Sequence, residues 1–198
     1  MTRQRPPRGR PTFRVGRLTL EPMSWDHLDD LATLDADPEV MRFLGPARTR
    51  AEVVALMPGR LSPSDDALGL GFWSGFEGGR FVGWWCLSLV GPDLAELGYR
   101  LHTDAWGRGL ATGGAKALIA HGFETVALKR IMAETMATNG GSRRVLAKAG
   151  LRHTGTERPD WVHSVPGAEL DAVTYEITRT RWRQLGATAR AEAAAGQH

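Results

Sequence analysis

Two glycines flanking one arginine, in Trp106-Gly107-Arg108-Gly109-Leu110-Ala111, are the first residues in this chain whose type and spacing suggest chemistry. The run follows a strand-like segment and leads directly into a helix-like one. Such a turn leaves several backbone N–H groups free beside a helix N-terminus, an arrangement suited to holding phosphate. Gly107, Arg108, Gly109, Leu110, Ala111 and Thr112 are therefore candidate phosphate contacts, with Trp106 at the entrance. Small residues let phosphate oxygens approach the backbone closely. Other signatures fail. No Gly-x-x-x-x-Gly-Lys-Ser/Thr run occurs. Gly107-x-Gly109-x-x-Thr112 comes late and lacks the third glycine of a dinucleotide fingerprint. No Gly-x-Ser-x-Gly elbow is present. The six histidines are scattered singly, without metal-ligand spacing, so no metal is expected.

The elements around the turn define its setting. The chain has 198 residues, 42% of them hydrophobic, enough for one domain with a real core. Strand and helix signals alternate, which points to an α/β or α+β domain. A first strand is expected over residues 17–22, then a helix to about Leu34 capped by Ser24. Pro38 suits the start of a short helix. Another helix should cover 49–57 and stop at Pro58-Gly59. Two strands, 69–77 and 80–90, join at Gly78-Gly79 as a hairpin. In the strand 94–102, Leu97, Tyr99 and Leu101 share one face; Glu96, Gly98 and Arg100 share the other. After the turn, Ala111, Ala115, Leu118, Ile119 and Gly122 form a helical stripe that packs on the sheet. A strand over 129–137, a helix opened by Asn139 and closed by Gly150, and strands 152–158 and 170–179 complete the domain.

Four ordered segments carry a family resemblance. They are Arg17-Leu18-Thr19-Leu20; Asp37-Pro38-Glu39-Val40-Met41-Arg42-Phe43-Leu44; Glu96-Leu97-Gly98-Tyr99 with the glycine turn; and Asn139-x-x-Ser142 through Lys148-Ala149-Gly150-Leu151. Together they resemble the GNAT superfamily of acetyl-CoA-dependent N-acetyltransferases, in its RimJ/RimL-type branch, over residues 12–185. The resemblance implies a mixed, centrally splayed sheet of about six to seven strands with helices on both faces. It also implies acetyl-CoA as co-substrate and an amine acceptor, a protein N-terminus or a small molecule, attacking directly in a ternary complex. The alternative is a regulatory module that binds acyl-CoA and has lost turnover.

Acyl transfer to a lysine-like amine, with pKa near 10.4, needs a base at neutral pH. The resemblance nominates Glu96, with Glu134 on the neighbouring strand in reserve. A second reading pairs Glu96 with Arg100 on the same strand face. The matching Asn139 contacts the cofactor in the family; as a residue type it is equally a helix N-cap. The family's usual tyrosine acid is replaced here by Leu146, which leaves Ser142 as the hydroxyl nearest the leaving thiol. A serine bonded to its own helix start is the competing reading. Leu101 and His102 complete the implied cofactor strand, whose backbone N–H groups near Gly98 to Leu101 would meet the oxyanion. Trp106 replaces a more usual Gln or Arg. Gly113-Gly114 also departs from the pattern and is read as clearance for the cofactor. Trp25, Phe43, Trp161 and His163 are the candidate acceptor-side residues. Cys86 has no visible partner base, so a covalent route through it is not expected.

The ends read differently from the middle. Arg3, Arg5, Arg8 and Arg10 crowd a Pro-rich opening, so residues 1–11 should form a disordered basic tail. Residues 186–198 are Ala-rich and should fray. Net charge of +3 is too small to argue for nucleic-acid binding. One cysteine fits a cytoplasmic setting, and no apolar run suggests a membrane span. Splayed strands offer an edge for a homodimer, a question the sequence leaves open.

Overall fold

The computed structural model describes residues 9–157 and 171–195, with side chains as far as Thr188. Eight strands form one open sheet: β1 (Phe13–Val15), β2 (Leu18–Pro22), β3 (Gly71–Glu77), β4 (Arg80–Gly91), β5 (Leu94–Leu101), β6 (Arg130–Met136), β7 (Arg152–Glu157) and β8 (Ala172–Thr178). Their order is β1-β2-β3-β4-β5-β6-β8-β7. Seven α-helices accompany them: α1 (Leu28–Ala36), α2 (Pro38–Met41), α3 (Arg50–Arg60), α4 (Pro63–Ala67), α5 (Leu110–Glu124), α6 (Gly140–Lys148) and α7 (Arg179–Ala195). The mixed α/β architecture is the expected one, with one strand more than expected. Every neighbouring pair is antiparallel except β5 and β6, which run parallel.

Alternation along β4 shows how two layers cover the sheet. Trp85 and Leu87 enter the core beneath α5 and α6, with Leu118, Ile119 and Leu146. Trp84 points the other way, into a core with Leu31, Leu34, Val53 and Met57 of α1 and α3. The hairpin between β3 and β4 turns at Gly78 and Gly79, both at positive φ (57° and 82°), which glycine adopts without strain.

Several elements differ from the sequence reading. β1 is an extra strand turned back at Gly16, and α4 and α7 are additional helices. Residues beyond Gly186, expected to fray, are helical as far as Ala195. Arg10 and Pro11, assigned to the tail, are held by the domain: Arg10 Nε lies 3.0 Å from Asp66, and Trp73 Nε1 donates to the Pro11 carbonyl at 2.8 Å. Helix α3 passes through Pro58-Gly59 to Arg60 instead of stopping at 57. Pro58 forfeits one N–H donor, but the Thr49/Glu52 capping box starts the helix firmly and burial of Val53, Met57 and Arg60 holds its end.

Gly114 lets helix α5 rest directly on the Trp85 ring of the sheet. A Cβ at that position would overlap the Trp85 indole, whose Nε1 donates to the Ala111 carbonyl at 3.2 Å. Gly114 is therefore clearance for Trp85, and not for a cofactor as the sequence suggested. Alanine is intrinsically better in a helix by about 1 kcal/mol, while overpacking costs about 1–3 kcal/mol. Gly114→Ala is thus expected to lower Tm by a few degrees, measured by thermal unfolding. A raised Tm would contradict the packing argument.

Candidate active site

Strands β5 and β6 pair through only Leu94, Ala95 and Glu96, opposite Arg130, Ile131 and Met132. β5 then continues to Leu101 and β6 to Met136 without facing each other. The gap opens into a cleft of about 710 Å³. His102 N–H donates to the Val82 carbonyl at 3.0 Å. Given antiparallel pairing of β4 and β5, that fixes the phase of the ladder: backbone groups of Glu96, Gly98 and Arg100 point to β4, and those of Leu97, Tyr99 and Leu101 point to the β6 side, where the last two face the gap. Of the amides near Gly98 to Leu101 expected to meet an oxyanion, those of Tyr99 and Leu101 are the ones that face the gap.

Side chains on the two faces of β5 meet different surroundings. Tyr99 lies on the α5/α6 side, and its hydroxyl is 2.9 Å from Ser142 Oγ. Ser142 is bonded across the cleft wall, not to its own backbone. Asn139 caps α6 by accepting from Ser142 N–H at 3.0 Å, and also lines the cleft. Burial pushes the Tyr99 hydroxyl up to about 12, against a smaller lowering by the Ser142 hydrogen bond. It therefore remains protonated at neutral pH and can donate. Sequence reasoning did not single out Tyr99, since nothing local connects it with a serine 43 residues later.

Glu96 lies on the opposite face, with Arg100. The two do not pair; Arg100 Nη1 bonds Asp35 Oδ1 of α1 instead. Glu96 has no hydrogen bond or ion pair among the described residues. Burial raises its carboxyl above the ordinary value, and the nearby Glu134 charge adds to the shift. Glu134 also lines the cleft but is exposed. Cys86, beside Glu96, has its thiol pushed up to about 12, chiefly by burial and then by the Glu96 charge. It is a thiol at neutral pH and a poor nucleophile.

The glycine turn borders the same cleft. Gly107 and Gly109 sit at φ 71° and 80°, with open space where a Cβ would stand. Their requirement is the left-handed backbone, not relief from a protein clash. Gly109 N-caps the 15-residue α5 without any side-chain cap, and no acidic residue lies in the first turn. The amides that follow are left to an external anion. Trp106 pins the turn to the strand by donating from Nε1 to the Leu101 carbonyl at 2.9 Å, a bond that explains an aromatic here. Leu101, Trp106, Gly107, Gly109, Leu110, Ala111 and Thr112 line the cleft. Arg108 and His102 do not. Arg108 Nη2 is 2.6 Å from Glu77, and His102 packs edge-on against Phe81. Phe43 reaches the cleft, whereas Trp25 is exposed elsewhere. Trp161 and His163 lie outside the described residues. Among the described residues no cluster suited to a metal ion occurs, and no helix is long and apolar enough to cross a membrane.

Comparison with known proteins identifies this arrangement. The acetyltransferase (GNAT) domain family matches residues 17–152. FsC-acetyl coenzyme A-N(2)-transacetylase of Aspergillus fumigatus is 34% identical over 189 residues, covering 90% of this chain and 80% of that one. The fold is shared with a RimL ribosomal alpha-N-protein acetyltransferase in complex with coenzyme A (TM-score 0.74, 17% identity, 85% and 98% of the two chains). It is shared too with spermidine N-acetyltransferase from Vibrio cholerae in complex with CoA and spermine (TM-score 0.72, 15% identity, 84% and 98%). The chain belongs to the GNAT family and is an acetyl-CoA-dependent N-acetyltransferase.

The turn makes a direct prediction. Ligand at about 100 times Kd adds about 2.7 kcal/mol, a rise of several degrees in Tm for a domain of this size. Acetyl-CoA is expected to produce that rise in the wild type and none in Gly109→Glu, which strains the positive φ and adds a negative charge. An equal rise in both would remove the turn from the cofactor site.

Proposed function

We propose that the protein acetylates a primary amine, on a peptide N-terminus or a small molecule, by direct attack within a ternary complex. The observation that carries this reading is the gap between β5 and β6. It passes through the sheet, joining Glu96 on one face to the Tyr99–Ser142 pair and the helix α5 N-terminus on the other. Acetyl-CoA supplies an activated acyl thioester. The chain's residues divide the remaining work. The free amides of α5's first turn receive the pyrophosphate. Glu96 takes the proton from the attacking amine, directly or through one water, as the N–C bond forms. Amides of Tyr99 and Leu101 face the gap and stabilise charge on the carbonyl oxygen. When the C–S bond breaks, the Tyr99–Ser142 hydroxyl pair hydrogen-bonds the departing sulfur and passes it a proton. A thiol pKa around 8.5 means that this assistance is modest.

Replacing Glu96 by Gln tests the reading. Loss of a general base is expected to lower kcat by about 10²–10⁴-fold, with acetyl-CoA binding retained. In the wild type, kcat at saturating acceptor should fall as acid protonates Glu96, along a limb centred above the ordinary carboxylate value of 4.5. The limb should vanish in Glu96→Gln. The sign for stability is opposite. A carboxyl whose folded pKa is raised favours folding below its unfolded pKa and loses that contribution as pH rises through the folded one. Glu96→Gln should therefore melt no lower than the wild type at neutral pH. Unchanged kcat would sink the assignment and favour Glu134, whereas acetyl-CoA binding without turnover of any amine in the wild type would favour a non-catalytic acyl-CoA-binding module.

A further inference from the structure

The acceptor side of the cleft holds a second feature that acetyl transfer itself does not require. Asp35 of α1 is fully buried and surrounded by three arginines. Arg48 Nη1 and Arg60 Nη2 lie 3.3 and 3.0 Å from its Oδ2, and Arg100 Nη1 bonds its Oδ1. Burial alone would raise the carboxyl, but the charges and hydrogen bonds of Arg100 and then Arg60 outweigh it and hold Asp35 ionised. Three positive charges thus face one negative charge, leaving an excess of +2 (three guanidiniums less one carboxylate). Arg60 and Arg100 are only 7% and 8% exposed. Both also lie over the Trp84 ring, at 5.6 and 5.1 Å from its centroid.

Asp35 occupies one nitrogen of each guanidinium. Arg60 Nη1, Arg100 Nε and Trp84 Nε1 are buried without any acceptor. Unpartnered buried donors are costly, the more so on charged groups. All three residues line a cavity of about 330 Å³, with Arg48, Leu56, Gly59 and Phe72. Phe72, Trp84 and Arg100 line the catalytic cleft as well, so the two spaces adjoin. Arg100 stands four residues after Glu96 on the same face of β5, about 13 Å away along the strand at about 3.3 Å per residue.

We propose that this arginine cage binds a carboxylate of the acceptor, so that the substrate is an amine that is also an organic acid. The inference rests on the acetyltransferase reading and adds the chemical class of its acceptor. Arginine suits the role because its planar fork matches two carboxylate oxygens. Phe72 and Trp84 give the cavity an aromatic floor beside the guanidiniums. The excess positive charge repels a polyamine, and an anion restores the balance. Asp35 holds the three guanidiniums together and oriented before any ligand arrives.

The probes are 6-aminohexanoate and hexylamine, which share an amine and a chain and differ in the carboxylate. Saturable binding to the wild type is measured by calorimetry at matched ionic strength, with acetyl transfer to each amine followed in parallel. Aminohexanoate is expected to bind more tightly than hexylamine by about tenfold or more, as for hydrogen bonds to a charged group. Arg60→Met should abolish the difference. Because that change also removes a partner of buried Asp35, Arg48→Gln at the more exposed edge (31% exposed) and Trp84→Phe serve as milder variants, each narrowing it. Equal binding of the two amines, or a preference that survives all three variants, overturns the cage as a carboxylate site. Transfer to both amines with no preference would defeat only the cage. Absence of transfer together with absence of acetyl-CoA binding would defeat the acetyltransferase reading instead.

Discussion

The site depends on two parallel strands that part company. β5 and β6 are hydrogen-bonded through three residue pairs and then diverge, leaving the Leu97 carbonyl and the Tyr99 and Leu101 backbone groups without a strand partner. Unpaired peptide groups in a sheet interior are normally expensive. Here the cost is contained because each strand is secured on its other side, β5 by β4 and β6 by β8 along its whole length. The Leu101 carbonyl is taken by the Trp106 indole, which carries the glycine turn to the mouth of the gap. One local defect in the ladder thereby fixes both the edge proposed to address an acyl group and the position of the helix proposed to receive phosphate.

The same opening explains why the two halves of the proposed chemistry come from opposite faces. Period-two alternation sends Tyr99 toward α6 and Glu96 and Arg100 toward α1 and α3. Glu96 and the Tyr99–Ser142 pair therefore line one cleft from two sides of the sheet. Their environments differ accordingly. Tyr99 gains a hydroxyl partner, while Glu96 has burial and a like charge, the combination that turns a carboxylate into a better base. Arg100 pairs with Asp35 rather than Glu96, so no ion pair neutralises the carboxylate proposed as the base.

What the sequence reveals follows the range of the interactions. The glycine turn is legible because positive φ at Gly107 and Gly109 is a local demand that few other residues meet. The Gly78-Gly79 hairpin and the Asn139 cap are legible for the same reason. Tyr99 with Ser142 and Arg100 with Asp35 are contacts over 43 and 65 residues, and no spacing rule anticipates them. Strand alternation offered Glu96 and Arg100 as partners only because it cannot see the carboxylate on α1. Gly114 was misattributed because the Trp85 ring that demands it comes from a strand two elements earlier. Short elements such as β1 and α4 lack enough residues to show a period.

The central claim is that the cofactor lies across the β5–β6 gap with its reacting end between the two faces. A crystal structure with acetyl-CoA tests it most directly. The pyrophosphate is expected on the amides that begin α5, with the sulfur within hydrogen-bond reach of the Tyr99–Ser142 pair and the acetyl oxygen near the Tyr99 and Leu101 amides. Acetyl-CoA bound on one face only, with its sulfur away from the gap, would contradict the account.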